Sequence, residues 1–341
     1  MIPSMKKNLL LFSMALFFLD MAYAQQSAIP DLKKGFAVKE ICKMQWDTPQ
    51  GLRYKKVAGV NLGVTSFEVL DKNRVAFLSD ASNEIIIAEK SNNKTLSRFT
   101  VADVPRDFAY DKGNFYVLFE NTVVVYNENG TNLKTIPYPN SFVGVERITR
   151  HNNSTYLLLP SGNSLEIESA SGKSVSKSYK GWITSSGIFV SGKLNGANSY
   201  MVQVSSTNGK SHEKVFTSPL KTAGVYVVGS NQNRVVLDVQ TYISESPIQV
   251  ERHLVTIALN SLGLGDIISD IKVPDCYYVL SNKDLVLADD GAVLNMITAP
   301  QNVFLFSLTE TEAQKSQNYP SSILSLKYHF NDHILQVNEQ K

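Results

Sequence analysis

The chain has 341 residues, of which 43% are apolar and 19% charged, with a formal net charge of +2. It therefore has enough apolar side chains for a packed core. It lacks the basic stripe of a nucleic-acid binder, and a near-neutral surface does not favour anionic lipid, so neither partner is predicted.

Residues 1–24 have the features of a secretory signal peptide. Lys6 and Lys7 precede an apolar run from Leu9 to Leu19, and Ala22-Tyr23-Ala24 provides small residues for cleavage near Ala24. The apolar run is shorter than the roughly 20 residues that span a bilayer, so no transmembrane anchor is predicted. The sequence thus predicts a protein that is secreted, periplasmic or on the cell surface.

A repeat of roughly 40 residues follows the signal. Polar turn clusters begin at Asp71, Asp111 and His151, each 40 residues after the one before, and each precedes an apolar run. A second series of Asn- and Gly-rich turns lies between them, and such residues accept the positive φ of tight hairpins. Each repeat therefore predicts four short antiparallel strands. A β-sandwich also explains short strands but not their regular spacing.

The spacing predicts an all-β fold, a β-propeller of six four-stranded blades. We place the blades at 62–103, 104–141, 142–180, 181–222, 223–273 and 274–309. The domain organisation is then a signal peptide (1–24), an N-terminal segment (25–61), the propeller (62–309) and a C-terminal tail (310–341).

The last blade lacks a fourth strand in this scheme, and an unpaired edge would leave backbone N–H and C=O groups free. Phe36 to Trp46 is the preferred closing strand, and Ile323 to Phe330 is the alternative. The two cysteines, Cys42 and Cys276, either form one disulfide or are separate buried thiols.

The first repeats resemble NHL-type blades. The resemblance rests on an apolar strand, a polar turn with Asn and a second apolar strand, as in Val75–Ile87 and Phe115–Tyr126. It implies a six-bladed propeller of the kind found in exported bacterial proteins. The basic residue that usually follows Asn in these repeats is missing, and blades four to six match only by spacing.

Three carboxylates occupy equivalent places in the first three predicted inner strands. Glu68, Asp107 and Glu146 lie 39 residues apart. If they face the channel they would converge and hold a divalent cation; alternatively, each marks the solvated start of a strand. Convergence would suit a metal-assisted enzyme similar to propeller lactonases or lyases. Outside this alternative no cofactor is predicted.

A binding surface is predicted on one face of the ring. Two connections, Tyr242 to Arg252 and Asp289 to Asn302, look lengthened, and propeller connectivity places them beside the loops between blades. The candidate contact residues are Arg106, Tyr138, Trp182, Tyr242 and Arg252. Trp182 either meets a sugar or protein partner or packs between blades. The leading hypothesis is a non-enzymatic binding or scaffold propeller that engages an envelope protein or a glycan.

Overall fold

The computed structural model describes residues 34–326 apart from 140–143, 146, 208, 262, 275–276, 316 and 325. The predicted signal peptide, Glu146 and Cys276 lie outside the described residues. Within that range, the strands in chain order are β1 (Lys34–Gln45), β2 (Lys55–Val57), β3 (Val60–Leu62), β4 (Val64–Val69), β5 (Arg74–Ser79), β6 (Glu84–Glu89), β7 (Lys94–Thr100), β8 (Asp107–Asp111), β9 (Asn114–Leu118), β10 (Thr122–Asn127), β11 (Asn132–Pro137), β12 (Arg147–His151), β13 (Ser154–Leu158), β14 (Asn163–Glu168), β15 (Ser174–Lys180), β16 (Trp182–Ile183), β17 (Phe189–Gly196), β18 (Ser199–Ser205), β19 (Ser211–Thr217), β20 (Thr222–Ser230), β21 (Arg234–Glu245), β22 (Ile248–Asn260), β23 (Gly263–Val273), β24 (Leu285–Leu287), β25 (Val293–Thr298) and β26 (Asn302–Glu312).

These strands form six four-stranded antiparallel sheets, which confirms the predicted six-bladed β-propeller. Blades one to five are consecutive: β4–β7, β8–β11, β12–β15, β16–β19 and β20–β23. A two-stranded hairpin, β2–β3, precedes blade one. After β26 the chain forms a 3₁₀ turn (Ala313–Lys315) and a short helix, α1 (Ser321–Leu324). No helix among the described residues is long and apolar enough to cross a membrane.

Polar turns end the strands where the repeat predicts them. The Asp71 carboxylate accepts hydrogen bonds from the backbone N–H groups of Asn73 and Arg74, both at 2.8 Å, between β4 and β5. Asn127 does the same for Asn129 and Thr131 between β10 and β11. These side chains satisfy backbone donors that the ladder leaves unpaired, so the turn residues fix the strand ends.

The N-terminal strand closes the ring. β1 pairs antiparallel with β26 from Lys34 opposite Glu312 to Gln45 opposite Asn302, so the sheet of blade six runs β1–β26–β25–β24. Phe36 and Met44 are buried in neighbouring cores. The alternative, a closing strand from Ile323, is wrong: Ile323 lies in α1 and packs against the core beside blade six.

Cys42, on β1, is a buried free thiol. Burial raises its pKa to about 12, so the thiol stays protonated and unreactive at neutral pH.

Blade six corrects two predictions about the strands. The predicted blade six begins at residue 274, whereas its inner strand, β24, begins at Leu285, and Tyr277 contributes only an isolated bridge. The predicted long loop Asp289–Asn302 contains β25, which is buried on both faces and so lacks the polar alternation of a half-exposed strand.

The other predicted loop, Tyr242 to Arg252, is the end of a hairpin. Tyr242 pairs with Val250 across β21 and β22. The polar residues at the tip of the hairpin suggested an irregular loop. In the structure, residues of β21 and β22 continue to pair across the hairpin almost to the turn at 246–247.

All connections between blades lie on one face of the ring, because each inner strand begins where the preceding outer strand ends. We call it the crossover face. It comprises the described residues of the connections 46–63, 101–106, 138–145, 181, 218–221 and 274–284, together with the turns that join the second and third strands of each blade.

Candidate functional site: the central channel and the crossover face

A cavity of about 460 Å³ opens at the crossover end of the channel. Its polar wall includes Arg106, Arg147, Gln240, Arg252, Lys283 and Asp284. A smaller cavity of about 120 Å³ continues deeper, and Arg147, Trp182 and Lys283 line both spaces. These three side chains therefore separate the mouth from the rest of the channel.

Lys283 lies at the point where the predicted carboxylates meet. Its ammonium donates to Glu68 Oε1 at 2.8 Å and to the Phe108 carbonyl oxygen at 2.6 Å, and it lies 2.9 Å from Asp107 Oδ1. The other Asp107 oxygen accepts from the backbone N–H of Ile148 at 3.0 Å. Lys283 is 2% exposed in its side chain, so this blade-six cation joins blades one, two and three.

Of the two readings that the sequence left open for Glu68 and Asp107, the structure shows both carboxylates beside one ammonium of the protein itself, that of Lys283. Burial raises the pKa of Glu68, and the nearby Lys283 opposes that rise. Among the described residues, no group of three or more His, Cys, Asp or Glu side chains is placed to hold a metal. The divalent-cation hypothesis also needs Glu146 and stays a prediction.

A second ion cluster lines the opposite part of the wall. Arg252 bonds Asp238 Oδ2 through Nη2 at 2.7 Å and Asp284 Oδ2 through Nη1 at 2.6 Å. Tyr277 donates its hydroxyl to Asp284 at 3.2 Å, and its ring lies against the guanidinium at 5.4 Å. Burial raises the pKa of Asp284, opposed by Arg252. This pairing joins blade five to the inner strand of blade six.

Arg147 differs from these two cations. Its guanidinium lies over the Trp182 ring at 5.5 Å. Its Nε is buried without a hydrogen-bond acceptor, and within the described part of the chain no carboxylate forms an ion pair with it. Trp182 donates its indole N–H to the Leu159 carbonyl at 3.2 Å and is 9% exposed. Trp182 therefore packs beside the channel and supports Arg147.

The other predicted contact residues are separated. Arg106 lines the mouth, and its backbone carbonyl accepts from Asn282 Nδ2 at 2.9 Å. Tyr138 is 4% exposed and donates its hydroxyl to the Phe119 carbonyl at 2.6 Å. Tyr242 lies on the projecting hairpin under the ammonium of Lys221, 5.4 Å from the ring centre. The cavity thus gathers Arg106, Trp182 and Arg252, but neither Tyr138 nor Tyr242.

Sequence reasoning missed Arg147, Asp238, Lys283 and Asp284. Lys283 and Asp284 fall within the predicted sixth blade (274–309), but the long strands of blade five break the 40-residue spacing, so the repeat did not give the position of the inner strand. The available signal was the pair of charges directly before the apolar Leu285–Leu287, since residues that begin an inner strand face the mouth of the channel.

The crossover face also concentrates exposed apolar side chains. Of the thirteen large apolar side chains exposed among the described residues, nine lie on this face or at its cavity: Val57, Val60, Val104, Leu194, Leu220, Tyr226, Ile243, Ile248 and Leu280. The other four, Leu96, Leu133, Val215 and Leu324, lie on outer strands or in α1.

Comparison with known proteins gives only distant structural similarity. No protein-family model and no curated protein sequence matches the chain. A streptogramin B lyase structure is 11% identical, with a TM-score of 0.41, over 81% of this chain and 98% of that one. The Pan2 WD40 domain of Neurospora crassa is 10% identical, with a TM-score of 0.46, over 81% and 96%.

BamB from Moraxella catarrhalis is 11% identical, with a TM-score of 0.39, over 83% of this chain and 100% of BamB. At these values the similarities carry no functional information. The chain is a β-propeller on the evidence of its own six sheets, and the NHL-type resemblance stays a prediction.

Proposed function

We propose that the chain is an exported, NHL-like binding or scaffold propeller that docks an envelope protein on its crossover face. The observation that carries the proposal is the concentration of exposed aliphatic side chains on that face. Apolar side chains that concentrate on one side of a soluble protein mark an interaction site, so a partner that covers this face explains their uneven distribution.

The hairpin of blade five supports a protein partner in particular. Beyond the pairing of Thr222 with Thr241, β21 and β22 pair only with each other, so the two strands extend past the rest of the blade-five sheet. This extension carries Ile243 and Ile248, whose side chains are 56% and 57% exposed. Aliphatic side chains on a raised hairpin suit an apolar protein surface. A glycan would favour exposed aromatic rings, and Tyr138 and Trp182 are buried.

The test combines site-specific crosslinking with affinity measurement. A photo-crosslinking amino acid at position 243 or, as the control, at 96 is introduced into the exported protein in its own cells, and crosslinked proteins are identified. The affinity of the purified partner is then measured for the wild type and for Ile243→Lys with Ile248→Lys. We expect crosslinking from 243 only, and an affinity loss of about tenfold or more.

The matched control is Leu96→Lys with Leu133→Lys, which changes two aliphatic side chains that are each 52% exposed on outer strands. This control should bind the partner as the wild type does. Equal losses in the two double variants would reject the crossover face as the docking surface. Binding only to envelope polysaccharide would reject the protein partner.

Export is tested separately. We expect the protein in the periplasmic or extracellular fraction, with Gln25 at its N-terminus as the sequence of residues 1–24 predicts. Cytoplasmic protein that retains residues 1–24 would contradict export.

A further inference from the structure

We infer that the mouth of the channel binds the carboxylate group of a small polar molecule, with Arg147 as its principal ligand. The inference goes beyond protein docking, because it rests on the polar interior of the cavity and holds whether or not a partner covers the face. At about 460 Å³ the cavity lies within the range of small-molecule sites.

The cations that line the cavity differ in whether they form ion pairs with carboxylates of the protein. Lys283 contacts two carboxylates and Arg252 contacts two more, so both are already neutralised. Arg147 has no such ion pair among the described residues, although it is near enough to Glu68 to lower the pKa of that carboxyl. Arg147 is half-buried, with its Nε shielded from solvent, so its charge is poorly compensated and an anion from solution would supply the missing counter-charge.

The wall of the cavity also carries further polar groups whose hydrogen-bonding capacity is not used within the protein. Ser281 Oγ is buried without a hydrogen-bond partner in the described part of the chain. Ser281 and Gln240 both line the cavity with Arg147, and they come from different blades. Such convergent hydrogen-bonding groups orient a ligand that is anchored elsewhere.

The chemistry of Arg147 selects a carboxylate. A guanidinium presents a planar fork of donors that matches two carboxylate oxygens, and stacking on an indole leaves the edge of that fork free. The guanidinium carbon of Arg147 lies 5.5 Å from the centre of the Trp182 ring, a cation–π contact that does not use the donors of the fork. Ser281 and Gln240 would then hydrogen bond the hydroxyl or amide groups of the rest of the molecule.

The test follows the arginine Nε–Hε signals of the whole protein by NMR while sodium acetate replaces sodium chloride at constant ionic strength. We expect a saturating shift of the Arg147 signal, which Arg147→Gln identifies by its absence. Arg53→Gln removes an exposed arginine from the same face and should leave the shift unchanged. D-Glucuronate should bind at least severalfold more tightly than acetate, whereas D-glucose should not compete with acetate.

Two further variants keep the test decisive if Arg147→Gln does not fold. Arg147→Lys keeps the charge but loses the fork and its own Nε–Hε signal, so acetate binding to this variant and to the wild type is compared through the indole N–H signal of Trp182, which lies beside residue 147. Acetate binding should weaken by about tenfold. Ser281→Ala should weaken glucuronate binding and leave acetate binding unchanged. The absence of a saturating shift, equal binding of inorganic sulfate, or an unchanged acetate affinity in Arg147→Lys would each overturn the carboxylate site. The Ile243→Lys, Ile248→Lys variant should retain it, which separates this site from the docking proposal.

Discussion

Blades two and five share one topology but use their residues differently. The strands of blade two have five or six residues each, whereas those of blade five have nine to thirteen. In blade two the three inner strands contribute mainly to apolar packing with their neighbours, and Ile136 is the one buried residue of the outer strand β11. In blade five the added length forms part of the charged channel wall and a hairpin that rises above the sheet.

The difference teaches that a propeller can gain function without changing its core. Val235 and Leu237 of blade five are as completely buried as Val117 and Leu118 of blade two. Beyond them along β21 come Asp238, in the ion cluster, and then the exposed extension. Stability should therefore depend on apolar packing in blade two and also on charge pairing in blade five.

Removing the charge at the centre of the blade-five cluster should have the largest effect. Arg252→Met leaves Asp238 and Asp284 buried without their cation, and breaking a buried pair in this way costs about 3–5 kcal/mol. Urea unfolding followed by circular dichroism measures the loss. Lys221→Met, which breaks the exposed pair with Glu245, is the control and should cost less than about 1 kcal/mol. Equal effects of the two variants would contradict the comparison.

Replacing a buried aromatic residue of blade two should have an intermediate effect on the free energy of unfolding. Phe115 is fully buried, and the rings of Phe99, Phe108 and Tyr110 surround it at centroid distances of 5.0–6.0 Å. Phe115→Leu should cost roughly 2 kcal/mol, because each aromatic pair contributes about 0.5–1.5 kcal/mol beyond burial.

Leu118→Met, in the same blade, keeps the volume and touches none of these pairs, so it should cost less than about 1.5 kcal/mol in the same unfolding measurement. If Phe115→Leu cost no more than Leu118→Met, the rings would contribute only apolar area.

The regular blades show how far sequence alone predicts this fold. Asp71, Asp111 and His151 stand at the first turn of blades one to three, where local hydrogen bonding and positive φ determine the chain reversal. Turn chemistry is local, so spacing revealed it. The long strands of blade five displaced the next turns, and the inner strand of blade six was consequently placed too early.

The site was less predictable, because it depends on contacts between distant blades. The equivalent places of Glu68 and Asp107 in the repeat left two readings open, convergence in the channel or solvated strand starts. The cation between them could not be foreseen, because Lys283 is 176 residues from Asp107 and lies where the repeat is irregular. The partners of Arg252 likewise follow from strand register and from the true start of β24.

The protonation of His253 in blade five should have a smaller effect on the free energy of unfolding. His253 lies 2.8 Å from both Asp270 and Glu251, and the Asp270 hydrogen bond is the main cause of its raised pKa. A raised folded pKa stabilises the fold below the unfolded value near 6.5, and this contribution is lost as pH rises through the folded pKa.

Unfolding free energies of the wild type and His253→Gln, measured by urea denaturation from pH 5.5 to 9, should therefore converge as pH rises. Leu96→Gln, a change without a titratable group at an exposed position on β7, is the control and should run parallel to the wild type. A wild-type advantage that grows with pH would reverse the sign and contradict this role for His253.

The smallest effect on stability should come from the part of blade five that differs most from blade two. Ile243 and Ile248 are more than half exposed, so Ile243→Lys with Ile248→Lys should change the free energy of unfolding by less than about 0.5 kcal/mol. Val239→Lys, on the same strand but buried, is the contrast and should be severely destabilising. A double variant that binds its partner poorly yet unfolds like the wild type would show that the hairpin serves recognition; one that loses stability would show that the extension belongs to the fold.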